Sequence, residues 1–274
     1  NSGDRDSAVA AMEFRRAHLD GGLTVIAEMS GQDWCQATGV FVRAGSRDEG
    51  PEACGACHFL EHMVFRGAGD HRAADVAREF ASMRSRYTAF TAEEYTAYYA
   101  VAAPREQSRL LRLWAELMNP ALREEDVEEE KRAVLEELAV REEQPAMLAA
   151  EMAKRLYFEC CGYAKSVLGT RETIARLDAA ALREHHRQWY VPRNMIVACA
   201  GGGDWEGLLR EAGGFVAGGA DAETPARKPV RSRTESVTRF VRDERLPREH
   251  ICLVTGAPSA QSARPGSQKT SAPS

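Results

Sequence analysis

The sequence has no run of apolar residues approaching the ~20 that a membrane-spanning helix needs. Its first residues, Asn1-Ser2-Gly3-Asp4-Arg5-Asp6, are polar and contain no apolar core of a secretory leader, although a chain that does not begin with Met leaves a removed leader open. Positive charge is not in excess. Lys and Arg number 36 against 41 Asp and Glu, so the formal net charge is -5, which excludes nucleic acid and anionic membrane as main partners. Cysteines are odd in number. The seven are Cys35, Cys54, Cys57, Cys160, Cys161, Cys199 and Cys252, scattered in a way no disulfide framework would use. These absences favour a reducing, cytoplasmic setting. With 44% hydrophobic and 28% charged residues over 274 positions, the chain can bury a sizeable core.

Periodicity and punctuation divide the chain. Residues 1–12 read as a lead-in, and Leu19 to Ile26 as a turn feeding a strand. Ala37–Arg43 and Tyr95–Ala102 read as strands. Helices are expected over Ala53–Phe65, Ala73–Met83, Glu106–Met118 and Glu124–Glu143, the last limited by Pro145. A further helix is expected over Arg171–Tyr190, then a strand over Met195–Ala200 and a helix over Trp205–Val216. This gives a domain over 13–217 and a Gly, Ala and Pro-rich linker over 218–236. The stretch 237–256 holds two possible strands, Thr238–Val241 and His250–Val254. The tail, 257–274, has a disordered composition. Strands mixed with helices in this order imply an α+β fold, a sheet packed against helices.

The chemistry concentrates at His58-Phe59-Leu60-Glu61-His62. Helical residues four apart lie one turn apart on a shared face, so His58 and His62 aim two imidazoles at one ion. Glu61 sits on the neighbouring edge of that face, in reach of a metal-bound water without being a ligand. A catalytic zinc takes three protein ligands and keeps a position for water. The acidic helix supplies the third. Glu130 and Glu137 are seven apart, so they share a stripe to within about 20°, with Val134 between them. An inward stripe holding two carboxylates is costly unless they meet a cation. Glu137 is the expected ligand, Glu130 the carboxylate that orients His62 or His58, and Glu136 is expected to face solvent.

Two features compete. Cys54-Gly55-Ala56-Cys57-His58 matches the c-type haem attachment pattern, but that reading leaves Glu61, His62 and Glu137 unexplained. His185-His186 lacks the partner at four-residue spacing that a metal pair would use, and is expected to be solvent-exposed or capping.

The combined pattern resembles the pitrilysin/insulinase family of inverted zinc metallopeptidases, which includes the mitochondrial processing peptidase. It runs over roughly 13–256, through Leu19 to Ile26, Val42 to Glu49, His58 to Gly67, Ala89 to Thr96, Glu130 to Leu138, Gly169 to Ile174 and Trp189 to Met195. The 75 positions from His62 to Glu137 suit the family's distal Glu. The resemblance implies one Zn2+ held by His58, His62 and Glu137, a zinc-activated water with Glu61 as general base, Glu130 in support, and hydrolysis of peptides or small unfolded proteins. It implies one metallopeptidase half-domain unit with a mixed, largely antiparallel sheet, and peptide bound as an added strand at Thr88, Ala89 and Phe90. Thr88 stands where the family has a substrate-binding Asn. Members carry further homologous domains, whose Arg and Tyr complete the site. This chain is therefore expected to need a homologous partner subunit or a C-terminal half, with 237–256 as the start of a second domain. The alternative is a peptide-binding subunit without catalysis of its own.

Overall fold

The computed structural model describes residues 12–31, 34–158, 162–216, 223–227, 229–242 and 248–256. Residues 1–11 of the predicted lead-in, the predicted tail, and Cys160 and Cys161 lie outside these residues. Among the described residues six strands form one sheet: β1 (Glu13–His18), β2 (Thr24–Met29), β3 (Gln36–Val42), β4 (Arg86–Thr91), β5 (Thr96–Ala102) and β6 (Met195–Gly201). Their order is β1-β2-β6-β3-β5-β4. Only β2 and β6 run parallel; the other pairings are antiparallel. The expected mixed, largely antiparallel sheet is therefore the one observed.

Helices line one face. Side chains alternate across a strand, and Val25, Val40, Tyr98, Ala100 and Val197 all point to the covered side. Phe59, Leu60, Phe80, Trp114 and Leu117 fill the layer above them without exposure. Gly39 sits in central β3, where an added Cβ would lie 2.4 Å from the Tyr98 carbonyl oxygen. The neighbouring backbone leaves room only for hydrogen there.

Around the site lie α1 (Ala56–Val64), α2 (Ala73–Ser82), α3 (Gln107–Leu117), α4 (Glu124–Glu142) and α5 (Pro145–Tyr157). Pro145 does more than end α4. It occupies the first turn of α5, where its missing N–H costs nothing, and periodicity alone did not reveal that helix. The single helix expected over Arg171–Tyr190 is two, α6 (Arg171–Arg176) and α7 (Ala179–Trp189). Leu177 is extended, and Asp178 Oδ1 accepts the Ala181 N–H at 2.8 Å, starting a new helix. α8 spans Trp205–Ala212.

Strands β1 and β4, the two edges, have no clear signal in the sequence. Their apolar alternation is weak because neither strand has a fully buried side chain on either face. The strands expected at Thr238–Val241 and His250–Val254 do not form: their described residues join no ladder. Phe240, Ile251 and Leu253 are almost fully exposed. A strand needs a partner for its N–H and C=O groups, and none lies beside these segments among the described residues. No helix among the described residues is long and apolar enough to cross a membrane.

Candidate metal centre

Helix α1 begins at a deliberate point. Gly55 precedes it with φ of 91°, and a Cβ there would lie 2.5 Å from Ile174 Cδ1. Glu49, buried just upstream, accepts the Gly55 N–H at Oε2 and the Cys57 N–H at Oε1, both at 2.8 Å. Two N–H groups at the helix start are thereby satisfied, by a carboxyl group placed at the positive end of the helix dipole. Burial pushes the Glu49 carboxyl up to about 8 despite those two hydrogen bonds. Packed between α4, α7 and the β4–β5 hairpin, α1 has little freedom to rotate.

The expected residues meet. His58 Nε2 and His62 Nε2 are 3.3 Å apart. Glu137 Oε2 lies 3.5 Å from the first and 3.4 Å from the second. Among the described residues this is the group of histidine, cysteine or carboxylate side chains suited to holding an ion. Tetrahedral zinc bonds of about 2.0–2.2 Å put ligand atoms roughly 3.3–3.5 Å from one another, so the triangle fits zinc in both size and donor chemistry. Its third corner is half exposed, since the Glu137 side chain is 47% accessible, which leaves the cluster open to a reactant.

Charge within the cluster points the same way. His62 Nδ1 donates to Glu130 Oε1 at 2.8 Å, which fixes the ring and leaves Nε2 as the inward nitrogen. Arg66 Nη1 stands 3.4 Å from Glu130 Oε2 and holds that carboxylate from behind. Burial lowers the His58 imidazole to about 4, with the His62 charge adding to it. Burial would lower His62 as well, but hydrogen bonds to Glu130 and Glu137 outweigh it and raise it to about 9. Glu130 and Glu137 are both held below the usual carboxylate range, chiefly by His62. Two carboxylates and two imidazoles therefore call for one cation, which a metal ion or a proton on His62 supplies. Glu136 faces solvent.

Glu61 stands beside the cluster. Its Oε2 accepts the Thr91 hydroxyl at 2.6 Å. Burial raises its carboxyl above the usual range, and the Thr91 bond opposes that. In the β4–β5 register, Thr91 pairs with Thr96, Ala89 with Tyr98 and Tyr87 with Ala100, so these side chains share the helix-facing side. Thr88 and Phe90 point to the opposite side and are exposed, and Thr88 Oγ1 finds only the Ala89 carbonyl, at 3.5 Å. The structure thus brings His58, His62, Glu137, Glu130 and Glu61 together. It places Thr88, Ala89 and Phe90 along the neighbouring edge strand.

Thr91, Glu49 and Arg66 carry contacts that sequence reasoning did not assign. The signal for Thr91 was its two-residue offset from Ala89 on one strand; for Glu49 it was an acidic residue just before a helix start. His185 corrects an expectation. It is buried, not exposed, and its Nε2 meets Cys57 Sγ at 3.2 Å. An α7 position facing α1 accounts for this, and burial lowers its imidazole to about 4. Cys57 is likewise sealed in the core, unlike a thiol offered to a haem.

A helix-covered sheet whose inverted HxxEH helix meets a distal glutamate defines a metallopeptidase half-domain unit. The family model described as Insulinase (Peptidase family M16) matches residues 24–171, and the chain belongs to that family. An uncharacterized zinc protease of Mycobacterium tuberculosis is 35% identical over 201 residues, covering 73% of this chain and 46% of the relative. A protease from Helicobacter pylori shares the fold with a TM-score of 0.72 at 20% identity, over 80% of this chain and 53% of that one. A peptidase M16 inactive domain from Pseudomonas fluorescens shares it with a TM-score of 0.71 at 17% identity, over 78% and 53%. The chain spans about half the length of the curated relatives it matches.

Proposed function

We propose that this chain is the metal-bearing half of a zinc endopeptidase that hydrolyses peptide bonds in peptides or small unfolded proteins. The observation that carries the reading is the convergence of three donor atoms at 3.3–3.5 Å beside a partly buried glutamate. His58, His62 and Glu137 would hold the ion, and Glu130 would hold His62. Bound zinc would supply Lewis acidity toward a carbonyl and acidify a water.

The chain's own residues do the rest. The Glu61 carboxylate, with one oxygen fixed by Thr91, keeps the other for a water proton. As the water oxygen bonds to the scissile carbon, Glu61 takes that proton; as the C–N bond breaks, it returns it to the leaving amine. A carboxyl raised by burial is a stronger base than a solvated one, which suits this exchange. Strand β4 is an edge of the sheet, so an extended peptide would add beside it through backbone hydrogen bonds. Recognition would then follow backbone shape more than side-chain identity.

A second reading has support in the half-length match and in the inactive M16 domain of the same fold: a peptide-binding subunit that works only with a homologous partner half. Metal content and peptide cleavage separate the two. Both are measured for this chain with and without a homologous second half, beside a Glu61→Gln control. The peptidase reading expects about one zinc per chain, cleavage in a productive pairing, and zinc without cleavage in the control. Zinc bound but no cleavage in any pairing sinks it.

A further inference from the structure

Arg227 lies in a stretch whose composition reads as a linker, yet its side chain is embedded. Nε donates to Asp48 Oδ1 at 2.9 Å and Nη2 to Asp48 Oδ2 at 2.6 Å. Nη2 also reaches the Arg43 carbonyl at 3.1 Å and the Glu94 carbonyl. The Asp48 side chain is 2% exposed and that of Arg227 12%. A bidentate, charge-assisted fork of this kind is among the stronger pairings a side chain makes. Burial pushes the Asp48 carboxyl up while Arg227 opposes it. Without the guanidinium, the carboxylate would keep the Gly45 N–H at 3.1 Å but lose its close cation, a costly state for a buried charge.

The acceptors come from three places that bear on the metal centre. Arg43 follows β3. Asp48 closes the turn before Glu49, whose carboxylate caps α1. Glu94 lies in the turn between β4 and β5, three residues after Thr91. Two hydrogen bonds already tie these loops together, Ser46 N–H to the Ala92 carbonyl at 3.2 Å and Arg47 N–H to the Glu93 carbonyl at 3.0 Å. Arg227 spans that junction from outside. Further along, Ser232 forms a bridge with Phe158, and Arg233 N–H donates to the Tyr157 carbonyl at 2.8 Å, so the segment is held at a second point.

We propose that residues 223–227 form a strap latched by Arg227 into a guanidinium pocket made by Asp48 and the Arg43 and Glu94 carbonyls, and that Arg227 is a positioning residue for helix α1 and strand β4. The significance of those two elements rests on the peptidase reading; the latch itself does not. Through Asp48 and Glu49 it bears on the helix carrying His58 and His62, and through Glu94 on the hairpin carrying Thr91. Whatever follows the strap in the chain is thereby coupled to the site's geometry.

The test uses the full chain, with and without zinc, as wild type, Arg227→Ala, Arg227→Lys and Asp48→Asn. One readout is nicking within 223–233 by a protease that does not cut at arginine. The other is amide hydrogen exchange at Gly55 and Cys57, with Val25 and Val197 as distant references. For Arg227→Ala, nicking and exchange at Gly55 and Cys57 should both accelerate about tenfold or more while the references hold, as expected of a local opening. Asp48→Asn should reproduce this, and Arg227→Lys, which keeps charge but not the fork, should fall between; these two variants decide the matter if Arg227→Ala does not fold. Unchanged nicking overturns the latch. Faster nicking with unchanged Gly55 and Cys57 exchange, or an equal rise at all four amides, overturns the positioning role. Neither readout requires metal or turnover, so a chain that failed to bind zinc would sink the peptidase reading and leave the latch intact.

Discussion

Thr91 Oγ1 donates a hydrogen bond to Glu61 Oε2 at 2.6 Å, joining the edge strand to the helix that carries the HxxEH residues. The contact leaves one Glu61 oxygen free and fixes the plane of the carboxylate. Hydrogen bonds to charged groups are worth about 1.5–3 kcal/mol, so losing this one should slow a proton transfer that depends on it. In a pairing that cleaves peptide, Thr91→Val should lower kcat roughly 10- to 100-fold with KM little changed, while Thr91→Ser should stay near wild type. Steady-state kinetics check this, and a Thr91→Val enzyme that alters only KM would show that Thr91 acts on peptide binding instead.

Glu137 and Glu130 sit on one stripe of α4 but hold different places, one facing both imidazole Nε2 atoms and the other bonded to His62 Nδ1. Glu137→Gln should therefore remove a ligand and abolish tight zinc binding. Glu130→Gln should weaken zinc affinity by about 10- to 100-fold, as loss of a ligand's supporting carboxylate does. Glu136→Gln, on the solvent side, should leave affinity unchanged. Competition with a chromophoric chelator measures all three. Equal affinity for the Glu137 and Glu136 variants would remove Glu137 from the ligand set.

Much of this was legible because helical spacing turns sequence directly into geometry. His58 with His62, and Glu130 with Glu137, are fixed on their faces by local structure. Only the meeting of the two helices required tertiary information, and the cost of two inward carboxylates hinted at it. The β3, β5 and β6 strands announced themselves through apolar runs. Edge strands β1 and β4 did not, since neither buries a side chain fully on either face and so neither needs a clean apolar alternation. The Thr91–Glu61 contact depends on the β4–β5 register, and the Arg227–Asp48 fork bridges 179 positions of chain, so neither leaves a periodic trace. Asp178 reads in sequence as one more polar helix residue, yet its capping bond splits the helix.

His185 illustrates how burial sets a pH dependence. Its imidazole is lowered from 6.5 to about 4, mainly by burial and then by neighbouring His186. Between these values the unfolded chain binds a proton that the folded chain does not, so the contribution is present above pH 6.5 and lost as pH falls toward 4. In thermal unfolding followed from pH 7 to pH 4, the His185 contribution should lower Tm, against the opposite effect of Glu49, whose carboxyl burial raises to about 8 so that its protonation favours the folded chain as pH falls. Replacing His185 with Gln, which carries no titrating group, should flatten part of the fall. A variant with the same Tm profile as wild type would assign the acid sensitivity elsewhere, with His58 the next group to replace because its imidazole is lowered in the same direction.

Thr88 bears on how an edge strand grips a peptide. Its side chain points away from the helices and is exposed, and among the described residues its hydroxyl has no partner closer than the Ala89 carbonyl at 3.5 Å. A peptide adding beside β4 would pair with the strand's outward N–H and C=O groups, and a side chain at position 88 would contribute only at the rim. A hydroxyl offers one donor and two lone pairs from a single atom, whereas an amide presents a donor and an acceptor side by side, the geometry a peptide unit requires. Thr88→Asn should therefore lower KM several-fold, in line with one added net hydrogen bond of about 1 kcal/mol, and leave kcat nearly unchanged because the position does not touch Glu61. Peptide hydrolysis measured across substrate concentration decides it. An unchanged KM would mean that backbone pairing along β4 supplies the grip without help from this side chain, and a changed kcat would mean that position 88 is felt at Glu61 through the strand.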